Sequence, residues 1–335
     1  MKKEQKALLE IIERFPGKKI LVWGDIILDT YIYGTTRRIS REAPVLILSY
    51  ERQEYALGGA GNALRNLKAL GAEPHPIGVV GRDDAGRKIL RFLKRENIAT
   101  EHVFAEPSAV TPIKTRILAG EETTRKQQIL RIDKESRMPD SDKLRKKILQ
   151  TLRELRTSGS ALLISDYHCY SVKEDVFRRV QPAFNTRSIP ITLDSRFRLL
   201  RFPGVTALTP NEPEVEHALQ TSLQDSPQKV MHAGRTLLKK SRAQALLITR
   251  GSRGMVLFEN RRPAYSIPIY GSTDIVDVTG AGDTVISVFT LALACGANFR
   301  QAARLANFAG GIVVMKKGTA VLTRGELAEA VVSAN

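Results

Sequence analysis

Six short apolar runs constrain the fold of this chain more than any other feature: KKILVWGD (18 to 25), PHPIGVVG (74 to 81), SALLISDY (160 to 167), IPITLD (189 to 194), VTALTPN (205 to 211) and QALLITRG (244 to 251). None has the alternation of a strand with one wet face, so each has to be covered on both faces. Amphipathic stretches follow them. That alternation implies an α/β fold, a doubly wound and mostly parallel sheet flanked by helices. Helices are expected at 60–70, 84–96, 140–156, 172–182, 226–240, 281–295 and 299–315.

Two segments break the rhythm. Residues 29–55 and 111–132 alternate apolar and polar positions with no helix between them, so they are expected to form a small separate sheet. Such a sheet reads as a lid over the open edge of the main sheet and as a dimer contact. There is no Pro/Gly/Ser linker, low-complexity tract or repeat, so residues 1–335 read as one domain with the lid segments inserted in it.

Composition narrows the possible partners. Lys plus Arg number 52 against 35 acids, a net charge of +17, which suits nucleic acid, an acidic membrane surface or a phosphorylated small molecule. The basic residues are spread along the helical stretches without a nucleic-acid module or an aromatic-interleaved patch, so no nucleic-acid partner is expected. Cys169 and Cys295 form no CxxC pair, and the five histidines fall into no HExxH pattern. The opening MKKEQKALLEIIERF lacks the apolar core of a signal peptide, and the longest apolar run, Val285 to Ala297, falls short of the ~20 residues that span a bilayer. A cytoplasmic protein with no membrane partner is the expectation.

The chemistry gathers at DVTGAGDTVISVFTLALACG, residues 277 to 296. Gly280 and Gly282 let the backbone turn tightly, and the helix that follows presents free N–H groups at its start, which makes an anion site. Asp283 sits in that first turn, where a carboxylate stays ionised and can take a proton from an attacking hydroxyl; it can equally be a simple helix cap. LGGAGN (57 to 62), TPNEPE (209 to 214) and ITRGSRG (248 to 254) accompany it. TPNEPE and ITRGSRG follow the carboxyl ends of expected strands, where open α/β sheets gather ligands, and LGGAGN opens a helix after the lid segment. No GxxxxGK[ST] occurs, so a P-loop mechanism is excluded.

In order and spacing these motifs resemble the ribokinase-like sugar kinases, the phosphofructokinase B family, from about Lys19 to about Glu326. YIYGTTRRISREAPVLIL (31 to 48), the compact LGGAGN, TPIKTRILA and QQILRID look most like the heptose kinases within it, which phosphorylate O1 of D-glycero-D-manno-heptose 7-phosphate. Those are often fused to a nucleotidyltransferase with an HxGH motif; the sequence ends soon after the kinase portion, so that second activity is expected to be absent. The resemblance makes Asp283 the catalytic base, with the amides of Ala281, Gly282 and Asp283 cradling the transferring phosphoryl group beside Gly280. It makes Asp25 an acceptor for sugar hydroxyls, and it sets Gly58, Gly59 and Asn62 against the sugar. On their own, those three residues read as a tight turn and helix cap.

By the same resemblance, Asn211 and Glu214 organise Mg²⁺, with Glu214 acting through water; a helix N-terminus with Asn as cap satisfies the same residues. Thr249, Gly251 and Gly254 resemble the nucleotide loop, and Asn307 borders the adenine. For a 7-phosphate, Lys114, Arg116, Arg131 and Arg38 are the cations by position, though any of them can be simply solvated. Two departures stand out: DYHCY (166 to 170) puts Cys169 and Tyr170 where Lys and Gly are typical, and Asp194-Ser195-Arg196 replaces Asp-Pro-Lys, with Arg196 keeping the charge for a cofactor contact. The implied ligands are ATP, Mg²⁺ and a sugar or sugar phosphate, with a monovalent cation left open and a homodimer through the lid. A kinase for fructose, ribose or a nucleoside would use the same machinery. A catalytically silent sugar-binding regulator is the alternative of another class, and the intact GAGD speaks against it.

Overall fold

Helix α1 (Lys3–Glu13) leads into strand β1 (Lys19–Gly24), β2 (Ile26–Ile39) and β3 (Leu46–Gly59), then α2 (Ala60–Ala69), β4 (Glu73–Gly81), α3 (Asp84–Arg95) and β5 (Val103–Glu106). Strands β6 (Ile113–Gly120) and β7 (Gln127–Lys134) precede α4 (Asp142–Leu155), β8 (Ala161–Asp166), α5 (Glu174–Thr186), β9 (Ile191–Ser195), β10 (Ala207–Leu208) and α6 (Glu212–Leu219). Then come α7 (Pro227–Ser241), β11 (Ala245–Thr249), β12 (Met255–Glu259), β13 (Tyr265–Ile267), α8 (Ala281–Ala294), α9 (Phe299–Val313) and α10 (Arg324–Ser333). This computed structural model describes residues 3–121, 126–136, 139, 141–224, 226–271, 276–316 and 318–334. Residues 122–125 of the expected lid and residue 140, the expected start of α4, lie outside them.

Among the described residues the strands form a nine-stranded sheet, β13-β12-β11-β10-β9-β8-β1-β4-β5, and a four-stranded sheet, β3-β2-β6-β7. From β5 to β11 every pairing in the large sheet is parallel; β12 and β13 add antiparallel strands at one edge. The apolar runs are doubly covered, as expected. In β1, Ile20 and Val22 enter a core with α2, α8 and α9, while Leu21 and Trp23 enter another with α4, α5 and α7.

Several elements differ from expectation for identifiable reasons. β10 is only two residues long because Thr209 leads into Pro210, which has no amide for the ladder. Helix α5 runs four residues past the expected end at 182, through Pro182, with Phe177, Val180 and Phe184 buried on one side and outweighing the proline. Strands β5, β12 and β13 and helix α10 were not anticipated; β12 follows β11 through a single 3-10 turn at Gly251–Arg253 with no α-helix between, which the alternation rule does not cover. The small sheet occupies the two segments that broke the rhythm, starting at Ile26 rather than residue 29.

The strand order reverses between β1 and β8, since β4 and β5 extend the sheet one way and β8 to β11 the other, all of them parallel. Ligands collect at the carboxyl ends of strands around such a switch. Residues 25, 166–167, 194–196, 209–211 and 249 all emerge there.

Candidate active site

Helix α8 is largely apolar, with every residue from Asp283 to Ala292 buried, so it runs through the core with its N-terminus at the switch point. Gly280 caps it at φ 79°, in the left-handed region, where a Cβ would lie 2.4 Å from Asn62 Nδ2. The Ala281 amide is spent on Val278 O (3.2 Å), which corrects its expected place in the phosphoryl cradle. Among the described residues the amides of Gly282 and Asp283 have no acceptor, and open space lies beside Gly282.

Asp283 is 2% exposed, yet both its oxygens are held: Asn62 Nδ2 donates to Oδ2 (3.1 Å) and the Tyr167 hydroxyl to Oδ1 (2.9 Å). Burial pushes its pKa up to about 7, with Asn62, Tyr167 and Lys114 opposing the rise and Asp29 adding to it. An acid that simply stays ionised in a helix's first turn was the expectation. Removal from water overrides the helix dipole here. Asn62, 0% exposed, also donates to Gly280 O (3.2 Å), so it braces the loop bearing the acid instead of facing an acceptor.

Asp25 takes a different task from the expected one. It is 1% exposed, and its carboxylate accepts the amides of Tyr167 and Cys169 (both 2.9 Å) and of Ser171 (2.8 Å), which shapes the turn after β8. That turn needs anchoring because His168 and Tyr170 both have positive φ, 63° and 68°. The acid facing the cavity is Asp29, four residues on, where Arg116 Nη1 donates to Oδ1 (2.7 Å). Gly58 makes room for it: a Cβ there would lie 2.4 Å from Asp29 Oδ2. Gly59 joins the wall beside it. The signal that could have found Asp29 is GDIILD, whose two acids share a face of the strand entering the lid.

These groups enclose a cavity of about 390 Å³. Lys114 and Arg196 line it with Tyr167, whose ring centroid lies 4.8 Å from Lys114 Nζ and 5.7 Å from Arg196 Cζ. Lys114 has no hydrogen-bond partner among the described residues, and burial, then Arg196, lowers its pKa. Arg131 lies at the rim, paired with Asp133 (2.9 Å), while Arg38 is exposed on β2 and does not line this cavity. Arg196, grouped by sequence with the nucleotide residues, belongs to this cavity.

Asn211 and Glu214 close a capping box on α6, each side chain accepting the other's amide at 2.9 Å. Burial raises Glu214 to about 7. Asp194, which sequence reading named only within the Asp194-Ser195-Arg196 triplet and gave no role, is raised by burial and by repulsion from Glu214 and Asp283. Repelling carboxylates across a polar cavity are the hard oxygen donors Mg²⁺ prefers, and among the described residues no three acids, histidines or cysteines are grouped to hold an ion alone. The donor set therefore suits a Mg²⁺ that keeps most of its waters.

A second cavity of about 780 Å³ meets the first at Asn211, Thr249, Val278 and Gly282. Gly251 and Gly254 form its loop at φ 55° and 75°, and a Cβ on Gly254 would lie 2.1 Å from Ile267 O. Asn307 lines it from α9 and braces the wall by donating to Pro268 O (2.9 Å). Two cavities thus share a corner where free helix amides and one buried acid converge.

The pfkB family carbohydrate kinase model matches residues 17–324. The chain belongs to that family. Two curated relatives, both named Bifunctional protein HldE, come from Trichlorobacter lovleyi (36% identical over 329 residues, 98% of this chain) and Geobacter metallireducens (39% over 325 residues, 97%). The chain spans 66% and 65% of their lengths. Among solved structures, Arabidopsis thaliana ribokinase complexed with ribose and ATP aligns with a TM-score of 0.72 at 19% identity, covering 94% of this chain and 99% of that one. Phosphofructokinase-2 from Escherichia coli in complex with potassium aligns at 0.75 and 18%, covering 94% and 98%. At such identities these two likenesses carry the fold, the ribokinase-like α/β sheet with its smaller sheet. No described helix is long and apolar enough to cross a membrane.

Proposed function

We propose that this carbohydrate kinase transfers the γ-phosphoryl group of ATP to O1 of D-glycero-D-manno-heptose 7-phosphate. The observation that carries the reading is the shared corner, where Asp283 and the free amides of Gly282 and Asp283 stand between the two cavities. ATP lies in the glycine-walled cavity of Thr249, Gly251, Gly254 and Asn307, and the sugar in the polar one. Asp283 takes the proton of the acceptor hydroxyl as that oxygen bonds to the γ-phosphorus and the bond to the bridging oxygen breaks, leaving its electron pair on ADP. The Gly282 and Asp283 amides receive the charge that spreads over the phosphoryl oxygens, and positioning and electrostatics do most of the work. Mg²⁺ supplies charge neutralisation of the phosphates, and Asp194, Glu214 and Asn211 would hold it, chiefly through water.

The 7-phosphate suits Lys114, a half-buried cation without a hydrogen-bond partner among the described residues, assisted by Arg196 and by Arg131 at the rim, while Arg116 is committed to Asp29. A different phosphorylated sugar is the second reading, favoured by Cys169 at the position where the heptose kinases carry lysine. We read the two sheets as one domain acting in the cytoplasm, with the small sheet as lid and as homodimer contact.

ADP release measured over a panel of sugars tests the substrate, and turnover should be greatest with the heptose 7-phosphate; faster turnover of an unphosphorylated sugar overturns that assignment. Asp283→Asn should bind ATP and sugar but lose kcat by roughly 10²- to 10⁴-fold, the usual worth of a general base. A kcat near wild type would remove Asp283 from the mechanism.

A further inference from the structure

The two donors on Asp283 differ in kind. Asn62 is inside the wall, tied to Gly280 O and held at its own Oδ1 by Asn66 Nδ2 (3.3 Å). Tyr167 lines the cavity, with Lys114 and Arg196 at its ring, and reaches Asp283 Oδ1 from the side an acceptor must use. Its backbone is fixed independently, since its amide donates to Asp25. The carboxylate oxygen that Tyr167 reaches from the cavity wall is thus already occupied. An acceptor hydroxyl needs that oxygen within hydrogen-bond reach.

We infer that Tyr167 is a positioning residue that stands in for the acceptor hydroxyl, occupying Asp283 Oδ1 until a sugar displaces it. The inference rests on Asp283 being the proton acceptor. Its consequence is economy of ATP: while the phenol holds Oδ1, a water molecule beside the γ-phosphoryl group has no base to take its proton. Burial and the Asp283 charge push the phenol's pKa far above the usual range, so it serves as a donor and keeps its proton. Without the hydroxyl, a water oxygen can bond to the γ-phosphorus, the bond to the bridging oxygen breaks, its electron pair leaves on ADP, and the water's proton goes to Asp283. Inorganic phosphate and ADP result.

Loss of the hydroxyl also removes one hydrogen bond that favours the charged carboxylate. The other groups around Asp283 stay: Asn62 in contact, Lys114, Arg116, Arg131 and Arg196 as cations in the cavity, and Asp29, Asp166, Asp194 and Glu214 as carboxyl groups. The acid limb of the kcat/KM profile for the sugar, which reports the enzyme before the phenol is displaced, should therefore move upward.

The experiment compares full-length wild type, Tyr167→Phe and Asp283→Asn, with Mg-ATP alone and then with D-glycero-D-manno-heptose 7-phosphate. Tyr167→Phe should raise sugar-free ADP release by about tenfold or more, the equivalent of one hydrogen bond to a charged group, and should shift the acid limb up by about one pH unit. Tyr167→Leu, which removes ring and hydroxyl together, must show the same two changes if the phenylalanine variant fails to fold. If sugar-free ADP release and the acid limb both stay at wild-type values while Asp283→Asn abolishes turnover, the inference is wrong and the catalytic base stands. Turnover surviving in Asp283→Asn removes the base and this inference with it.

Discussion

Asp283 and Glu214 are carboxylates that the fold takes out of water, and burial raises each to about 7 from ordinary values of 3.8 and 4.5. A raised folded-state pKa means that the folded protein holds its protons after the unfolded chain has released them. The stabilising contribution is full below about pH 4 and is lost as pH rises through 7, at a rate of about 1.4 kcal/mol per pH unit per group at most. The Tm of the ligand-free protein should therefore fall between pH 5 and pH 8 more steeply than in Asp283→Asn, whose amide carries no charge to desolvate. Parallel Tm curves would show that the acid is well solvated. The glycines and the acid of this site were legible because GAGD has to be a tight turn into an apolar helix. The partners were not: whether Asp25 or Asp29 faces the cavity depends on which one the turn after β8 wraps around, and that turn lies more than a hundred residues away.

Among the elements, the parallel strands and the helices between them were readable because double burial leaves a continuous apolar run. The antiparallel pair β12 and β13 was not, since MVLFE is a run of the same kind without a helix ahead of it. One contact between elements tests how tightly that edge is packed. Gly234 lies in α7, and a Cβ there would fall 2.3 Å from the Phe258 ring of β12, which is fully buried. Alanine in a helix interior gains up to about 1 kcal/mol over glycine, but forcing a methyl into a closed core costs typically 1–3 kcal/mol. Gly234→Ala should thus lower the urea midpoint with an unchanged slope. A variant more stable than wild type would mean that the ring has room to turn.

At the scale of the molecule, the small sheet was legible as a separate body because its strands alternate, and a second copy against it was already the expectation. Cross-strand register sets Asp29, Lys114 and Arg131 on the cleft face, and Ile32, Ile117, Leu130 and Ile132 on the opposite one. Leu130 and Ile132 are 52% and 54% exposed, and Ile39, Leu46 and Tyr50 extend the apolar surface at 65%, 51% and 66%. Soluble monomers rarely leave so much apolar sheet wet, and β7 and β3 are open edges that could pair with another chain. A second copy meeting this face would cover both, and a stable contact needs about 800 Å² from each partner. Wild type should therefore sediment as a dimer, and Leu130→Lys with Ile132→Lys as a monomer, because two buried, unpaired ammonium groups would cost more than the contact returns. The variant should keep its fold, since both side chains are already in water within a single copy. A wild-type chain that sediments as a monomer at micromolar concentration, or a double variant that stays dimeric, would show that this face is not the contact.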